Sequence, residues 1–258
     1  MSITGCILKV VSMELYIIRH AQSENNALGD DFNNRVKDPQ LTDTGLIQAD
    51  YVAQYLATAT NLESVVRIPA GEATRAEYHK IHITHLYTSA MCRALQTSRP
   101  ISKALGLPVE IWLEIHEHGG IWLNENGVSR GFGGMTRSQI YDAFPDYIIP
   151  DEVTEDGWWK PEDGEEHITL CYARAMRVAH ALRSRAMSDK GREDSVAIVT
   201  HGTFIDGLIK ALLGRLPTRE YFHWHYNTAI TRLDLTQDGT IIIRYINRIT
   251  HLTPELVT

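Results

Sequence analysis

Leu15-Tyr16-Ile17-Ile18-Arg19-His20-Ala21-Gln22-Ser23-Glu24-Asn25-Asn26 is the stretch from which the rest of the chain can be read. Its first four residues form a short apolar run, the pattern of a strand buried on both faces of a parallel sheet. An arginine and a histidine then arrive side by side at the carboxyl end of that strand, where open α/β sheets place their ligand crevices. A guanidinium there suits a multiply charged oxyanion, and an imidazole can act as nucleophile or as acid and base. The pair points to phosphate.

Outward from this strand, strand and helix patterns alternate. After a polar loop at 21–41, Thr42-Asp43-Thr44-Gly45 leads into an amphipathic helix through about Ala59, followed by an irregular connection at 60–79. Ile81 to Tyr87 reads as a second strand ending in Thr88-Ser89. A helix from about Ala90 to Leu105 stops at Gly106, with Pro108 and a short strand, Val109 to Trp112, beyond it. Residues 113–163 are rich in Gly, Pro and aromatics, with one helix at 136–144, and read as an insertion capping the crevice. A long helix spans about Glu166 to Met187. Ser195 to Thr200 is the cleanest strand of all and ends at His201-Gly202. A helix from Phe204 to Leu213 closes at Gly214, and strands near 228–235 and 240–246 are joined by the hairpin signal Asp238-Gly239. The alternation predicts an α/β fold, a three-layer α/β/α sandwich with a mostly parallel central sheet and a cap insertion at about 113–163. Met13 sits where a compact domain would start, so residues 1–12 read as an N-terminal extension and 13–258 as one domain.

Bulk properties narrow the partners. The chain has 258 residues, enough for one large core, and its hydrophobic fraction of 43% and charged fraction of 22% are ordinary for a globular protein. A net charge of -7 argues against a general nucleic-acid or anionic-membrane surface. No apolar run has membrane-spanning length, and the apolar start, Ile3 to Ile18, is broken by Lys9, Ser12 and Glu14. Cys6, Cys92 and Cys171 lie far apart and fit a reducing, cytoplasmic setting better than a disulfide framework.

Three strand-to-loop junctions carry the informative polar groups: Arg19-His20, then Thr88-Ser89 one helical turn before Arg93, then Thr200-His201-Gly202. In a parallel sheet these ends share one edge, so two histidines and two arginines can converge. A lone His-Gly after a strand is usually only a turn, and a lone Arg93 only a solvated helix residue. Agreement of three junctions favours a site.

Taken in order, RHAQSENN, TSAMCRALQT and VTHGTF resemble the signatures of the histidine phosphatase superfamily, the phosphoglycerate-mutase-like fold, over residues 13–247. The resemblance implies that His20 is a nucleophile forming a phosphohistidine, and that Arg19, Arg93 and His201 surround the phosphoryl oxygens. It further implies that Asn26 belongs to the phosphate pocket, with Ser23, Gln22 and Gly202 as neighbouring substrate-side positions. Gln22 and Ala21 replace the more usual glutamate and glycine. A proton donor is implied after the third strand, where Glu117 is preferred and Glu114 is the alternative. Gly164-Glu165-Glu166 resembles a Gly-Glu-Ser element in which Glu165 would be structural, and Asn227-Thr228 is likewise a structural pair. Arg130 and Arg137, in the insertion, read as surface arginines before substrate contacts.

Other signals point elsewhere less well. His79, His82 and His85, or the pairs His116/His118 and His223/His225, could suggest zinc, but no Cys or carboxylate partner completes a ligand set, so no metal is expected. Trp158-Trp159 reads as cap packing. The glycines of 131–134 do not open a helix after a strand, and no Walker sequence is present, so no nucleotide cofactor is expected. The resemblance thus implies a metal-independent phosphatase acting on a small phosphorylated substrate. A phosphoglycerate-mutase-type transferase and a catalytically idle phospho-ligand-binding member are the alternatives.

Overall fold

The apolar run around Ile17 extends into β1 (Val11–Arg19), whose side chains alternate between two separate cores. Tyr16 and Ile18 face one, and Met13, Leu15 and Ile17 face the other. A computed structural model describes residues 11–29, 31, 34–63, 77–191 and 193–258. Most of the expected extension, residues 1–10, lies outside the described residues. Val11 and Ser12 do not belong to an extension: they are part of β1, where Val11 pairs with Thr236.

After β1 come a single helical turn, α1 (Glu24–Ala27), and α2 (Asp43–Thr58). Thr42 caps α2 by accepting the Gly45 N–H at 3.0 Å, which satisfies one of the helix's orphan donors. The connection expected to be irregular contains an antiparallel pair, β2 (Thr60–Glu63) and β3 (Glu77–Lys80); residues 64–76 between them lie outside the described residues. The second expected strand is shorter than its apolar signal. Only β4 (His85–Thr88) joins the main sheet, while Ile81 and Ile83 are buried from an irregular approach segment. α3 (Cys92–Leu105) ends at Gly106, which takes the left-handed φ of +67° that glycine tolerates, and β5 (Val109–Ile111) follows.

The insertion is less separate than the sequence suggests. It holds the hairpin β6 (Trp122–Glu125) and β7 (Val128–Gly131), then α4 (Arg137–Ala143), within the span expected for a helix. It then contributes β8 (Tyr147–Ile148), which pairs in parallel with β5. Ile140, Phe144, Tyr147 and Val153 join the core shared with α2 and α3, so this stretch is built into the sandwich rather than resting on it.

α5 (Ile168–Met187) starts later than expected because the His167 side chain accepts the Thr169 N–H as its cap. β9 (Asp194–Thr200), α6 (Gly202–Leu212), β10 (Ile230–Thr236) and β11 (Ile241–Arg248) complete the fold. The main sheet has seven strands in the order β11-β10-β1-β9-β4-β5-β8, antiparallel only at β10 and β11. Residues of α2 and α3 fill one core and those of α5 and α6 the other, which gives the three layers. Among the described residues no helix is long and apolar enough to cross a membrane.

Register decides where the site forms. Arg19 lies opposite Thr200, and Thr88 lies opposite both Val199 and Ile111. His20, Ser89, His201 and the chain after Trp112 therefore all leave the sheet at one edge.

Candidate active site

His20 follows β1 directly, and its N–H donates to the Thr200 carbonyl at 2.8 Å. Its ring Nδ1 lies 2.7 Å from the Ala21 carbonyl, an acceptor only, so Nδ1 carries the proton and Nε2 carries the lone pair. That lone pair accepts the Arg93 Nε–H at 3.1 Å. The His201 ring is 5.0 Å away between centroids, and its Nε2 meets Ser89 Oγ at 2.8 Å. Nδ1 of His201 is buried and has no partner among the described residues. Burial holds both imidazoles well below the usual histidine range; the neighbouring charge of Arg93 pushes both down further, and that of Arg19 does the same for His20. Both rings are therefore neutral near pH 7, the form a nucleophile needs.

Arg19 completes the group. Its Nη1 donates to the His225 carbonyl at 2.6 Å, and its Nε is a buried donor without a partner among the described residues. A Cβ placed on Gly202 would lie 3.6 Å from that Nε, so the guanidinium borders the first turn of α6. Two cations, an unshared imidazole nitrogen and a helix N-terminus thus converge around His20, an arrangement suited to a tetrahedral oxyanion.

The two candidate acids separate cleanly. Glu114 turns outward to pair with Arg177 at 2.6 Å. Glu117 turns inward: Oε1 accepts the His118 and Phe204 N–H groups at 2.8 and 3.0 Å, and Oε2 accepts the Thr203 N–H at 3.2 Å. Its charge is felt by both Arg19 and Arg93. The loop that presents Glu117 is held from below by Arg174, whose Nη1 donates to the Glu114 and His116 carbonyls at 2.6 and 2.8 Å. Arg174 is itself gripped by Glu166 through bonds of 2.7 and 3.0 Å.

The bracing glutamate is therefore Glu166. Glu165, expected in that role, is exposed, because the helix begins at Ile168 and the chain entering it turns Glu166 inward. Burial alone would raise the Glu166 carboxyl, but the two hydrogen bonds and the charge of Arg174, with the His116 ring nitrogen 3.8 Å away, bring it down to about 2.

Ser23, Gln22, Asn26 and Asn227 shape the loop that leaves His20. Asn26 Oδ1 accepts from the Ser23 N–H, the Ser23 hydroxyl and Asn227 Nδ2, each at 3.2 Å. Asn227 Nδ2 also donates to the His20 carbonyl at 2.9 Å. The Gln22 amide oxygen is occupied by the Thr42 hydroxyl at 2.7 Å, which turns that side chain towards α2. A Cβ on Gly45 would collide with the Gln22 carbonyl, so only glycine lets α2 approach this closely.

Arg130 and Arg137 stay outside the cluster: Arg130 is exposed and paired with Glu125, and Arg137 donates to the carbonyls of Ile149, Pro150 and Val153. Trp158 and Trp159 pack on the His116 ring at 5.4 and 5.2 Å. No three His, Cys, Asp or Glu side chains converge as a metal-binding group among the described residues.

Sequence reasoning passed over Asp38 and weighed His225 only as half of a zinc-like pair. Asp38 Oδ1 accepts the Cys92 N–H at 3.0 Å, next to Arg93. Its only sequence signal is the turn-forming pair Asp38-Pro39. His225 acts through a backbone carbonyl, which leaves no mark on residue type.

The family model of the histidine phosphatase superfamily (branch 1) matches residues 15–67 and 70–248. No curated protein matches the chain at a significant level. Among solved structures, a phosphoserine phosphatase from Entamoeba histolytica in complex with 3-phosphoglyceric acid is 20% identical with a TM-score of 0.55, covering 93% of this chain and 100% of that one. A mycobacterial glucosyl-3-phosphoglycerate phosphatase complexed with VO3 is 22% identical with a TM-score of 0.54, covering 92% and 99%. Bacillus stearothermophilus YhfR is 19% identical with a TM-score of 0.54, covering 93% and 99%. At these identities the structural likeness is one of fold.

Proposed function

Because the chain belongs to the histidine phosphatase superfamily, we propose that it hydrolyses a phosphomonoester through a phosphohistidine at His20, without a metal ion. The observation that carries this reading is the lone pair of His20 Nε2, held on the Arg93 N–H inside a cluster of oxyanion donors. When substrate enters, a phosphoryl oxygen takes over that N–H and Nε2 attacks phosphorus. The Glu117 carboxylate takes a proton from the monoanionic phosphate ester; the P–N bond then forms as the ester P–O bond breaks, and the leaving oxygen receives that proton from Glu117. Arg19, Arg93, His201 Nδ1, Asn26 and the Gly202 end of α6 stabilise the charge spread over the equatorial oxygens. Water then attacks phosphorus and gives its proton to the Glu117 carboxylate. Cleavage of the P–N bond returns the electron pair to Nε2 and leaves inorganic phosphate. The solved neighbours named for phosphoserine and glucosyl-3-phosphoglycerate support a small phosphorylated metabolite as substrate.

Phosphate release from an aryl phosphate, measured with and without a chelator, tests this reading. Equal rates are expected, because the positive charge comes from guanidiniums. Absence of release, or loss of the rate on chelation, would overturn it. Glu117→Gln should slow alkyl phosphates, whose leaving groups need a proton, by about 10²-fold or more, and aryl phosphates much less. Should Glu114→Gln produce that pattern instead, the proton comes from the other carboxyl.

A further inference from the structure

Beside the proposed phosphate pocket stands a carboxyl group for which the reaction above has no use. Asp38 lies in the loop between α1 and α2, and its two oxygens have different surroundings. Oδ1 accepts the Cys92 N–H at 3.0 Å, at the start of α3 and one residue before Arg93. Oδ2 is buried and has no partner among the described residues, an unfavourable setting for an ionised oxygen. Of the charges acting on Asp38, that of Arg93 is the largest, and the converse is also true. Arg93 in turn touches Nε2 of His20.

We propose that Asp38 regulates the charge of the phosphate pocket: ionised, it offsets Arg93 and loosens the hold on a bound oxyanion; protonated, it leaves Arg93 uncompensated and tightens that hold. This rests on the phosphate-pocket reading and adds a device for product release to it. Two guanidiniums beside neutral imidazoles would retain inorganic phosphate, and a neighbouring carboxylate counters that retention.

The surroundings of Asp38 make it the group able to respond. On its own loop Lys37 favours its ionised form, and Arg35 faces Arg93. From α3 it meets Arg93 and Cys92, whose thiol burial pushes up to about 12 and so keeps neutral. From α1 the charge of Glu24 reaches Cys92, and from the loop after β5 Glu117 faces Arg93. Burial raises the Asp38 carboxyl to about 6, against the opposing pull of Arg93, the Cys92 N–H and Lys37. An arriving dianion raises it further. Anion affinity is therefore greatest at acid pH, falls as pH rises from the titration of the free state, about 6, to that of the bound state, and levels off above it.

Sulfate is a suitable probe because it remains a dianion throughout this range. Its competitive inhibition is to be measured from about pH 5 to about pH 8 in the wild type and in Asp38→Asn, whose amide oxygen still accepts the Cys92 N–H. The two inhibition constants should coincide at the acid end. At the alkaline end the variant should bind sulfate about tenfold more tightly, the effect of a shift of one pKa unit. Taking the ratio cancels every other titration in the pocket. A ratio independent of pH, or weaker binding by the variant at every pH, overturns the proposal. If the variant fails to fold, a wild-type affinity that is flat with pH overturns it equally. If sulfate does not compete with substrate in either protein, the phosphate-pocket reading itself falls.

Discussion

His20→Ala will lower turnover of an aryl phosphate by about a thousandfold or more, because removing the proposed covalent nucleophile leaves only the binding and electrostatic part of catalysis. The substitution removes a buried ring, takes the acceptor from Arg93 Nε and leaves a buried donor unmatched. A stability loss of about 1–3 kcal/mol is expected alongside the lost activity. Rapid quenching with substrate separates a nucleophile from a mere oxyanion contact. Intact wild-type protein should gain one phosphoryl group that is lost in acid, as a P–N bond requires, and the variant should gain none. A variant rate within tenfold of wild type would remove His20 from the mechanism.

Arg174→Met will destabilise the fold by about 3–5 kcal/mol, the usual loss when one member of a buried ion pair is removed. Arg174 and Glu166 are 4% and 7% exposed, so the orphaned carboxylate has little access to water. The carbonyls of Glu114 and His116 lose their donor in the same step, and the loop presenting Glu117 loses its footing. The pH dependence gives an independent check. Glu166 is held at about 2 in the folded state, below its unfolded value of about 4.3, so its contribution is present above that value and is lost as pH falls towards 2. Denaturant titrations should show this acid limb in the wild type and a weaker one in Arg174→Met. The double variant with Glu166→Gln should recover part of the loss. A single-variant penalty under about 1 kcal/mol would mean that something else holds the loop.

The parts legible in the sequence were those set by short-range pattern. Apolar runs at Leu15–Ile18 and Ser195–Thr200 mark strands buried on both faces, and parallel pairing then requires Arg19, His20 and His201 to share an edge. Glu117 turns to the N-terminus of α6 and Glu114 to Arg177, a difference that depends on those distant partners. Features created by long-range contact were not legible. Asp38 is drawn in by an N–H 54 positions away, and the two residues of β8 acquire their strand character from β5. The brace was misplaced from Glu166 to Glu165 by one position. On an entry segment without helical periodicity, nothing local distinguishes an inward carboxylate from an outward one.

The placement of β1 between β9 and β10 has a further consequence, for biogenesis. Translation delivers the His20 strand well before both of its neighbours, which come from residues 194–236. Until then its backbone edges are unpaired and its apolar faces uncovered, and sequence-distant pairing of this kind is slow and prone to aggregation. Nascent fragments that stop before Thr236 would be catalytically silent and would depend on chaperones, so activity should emerge abruptly once that residue has been made.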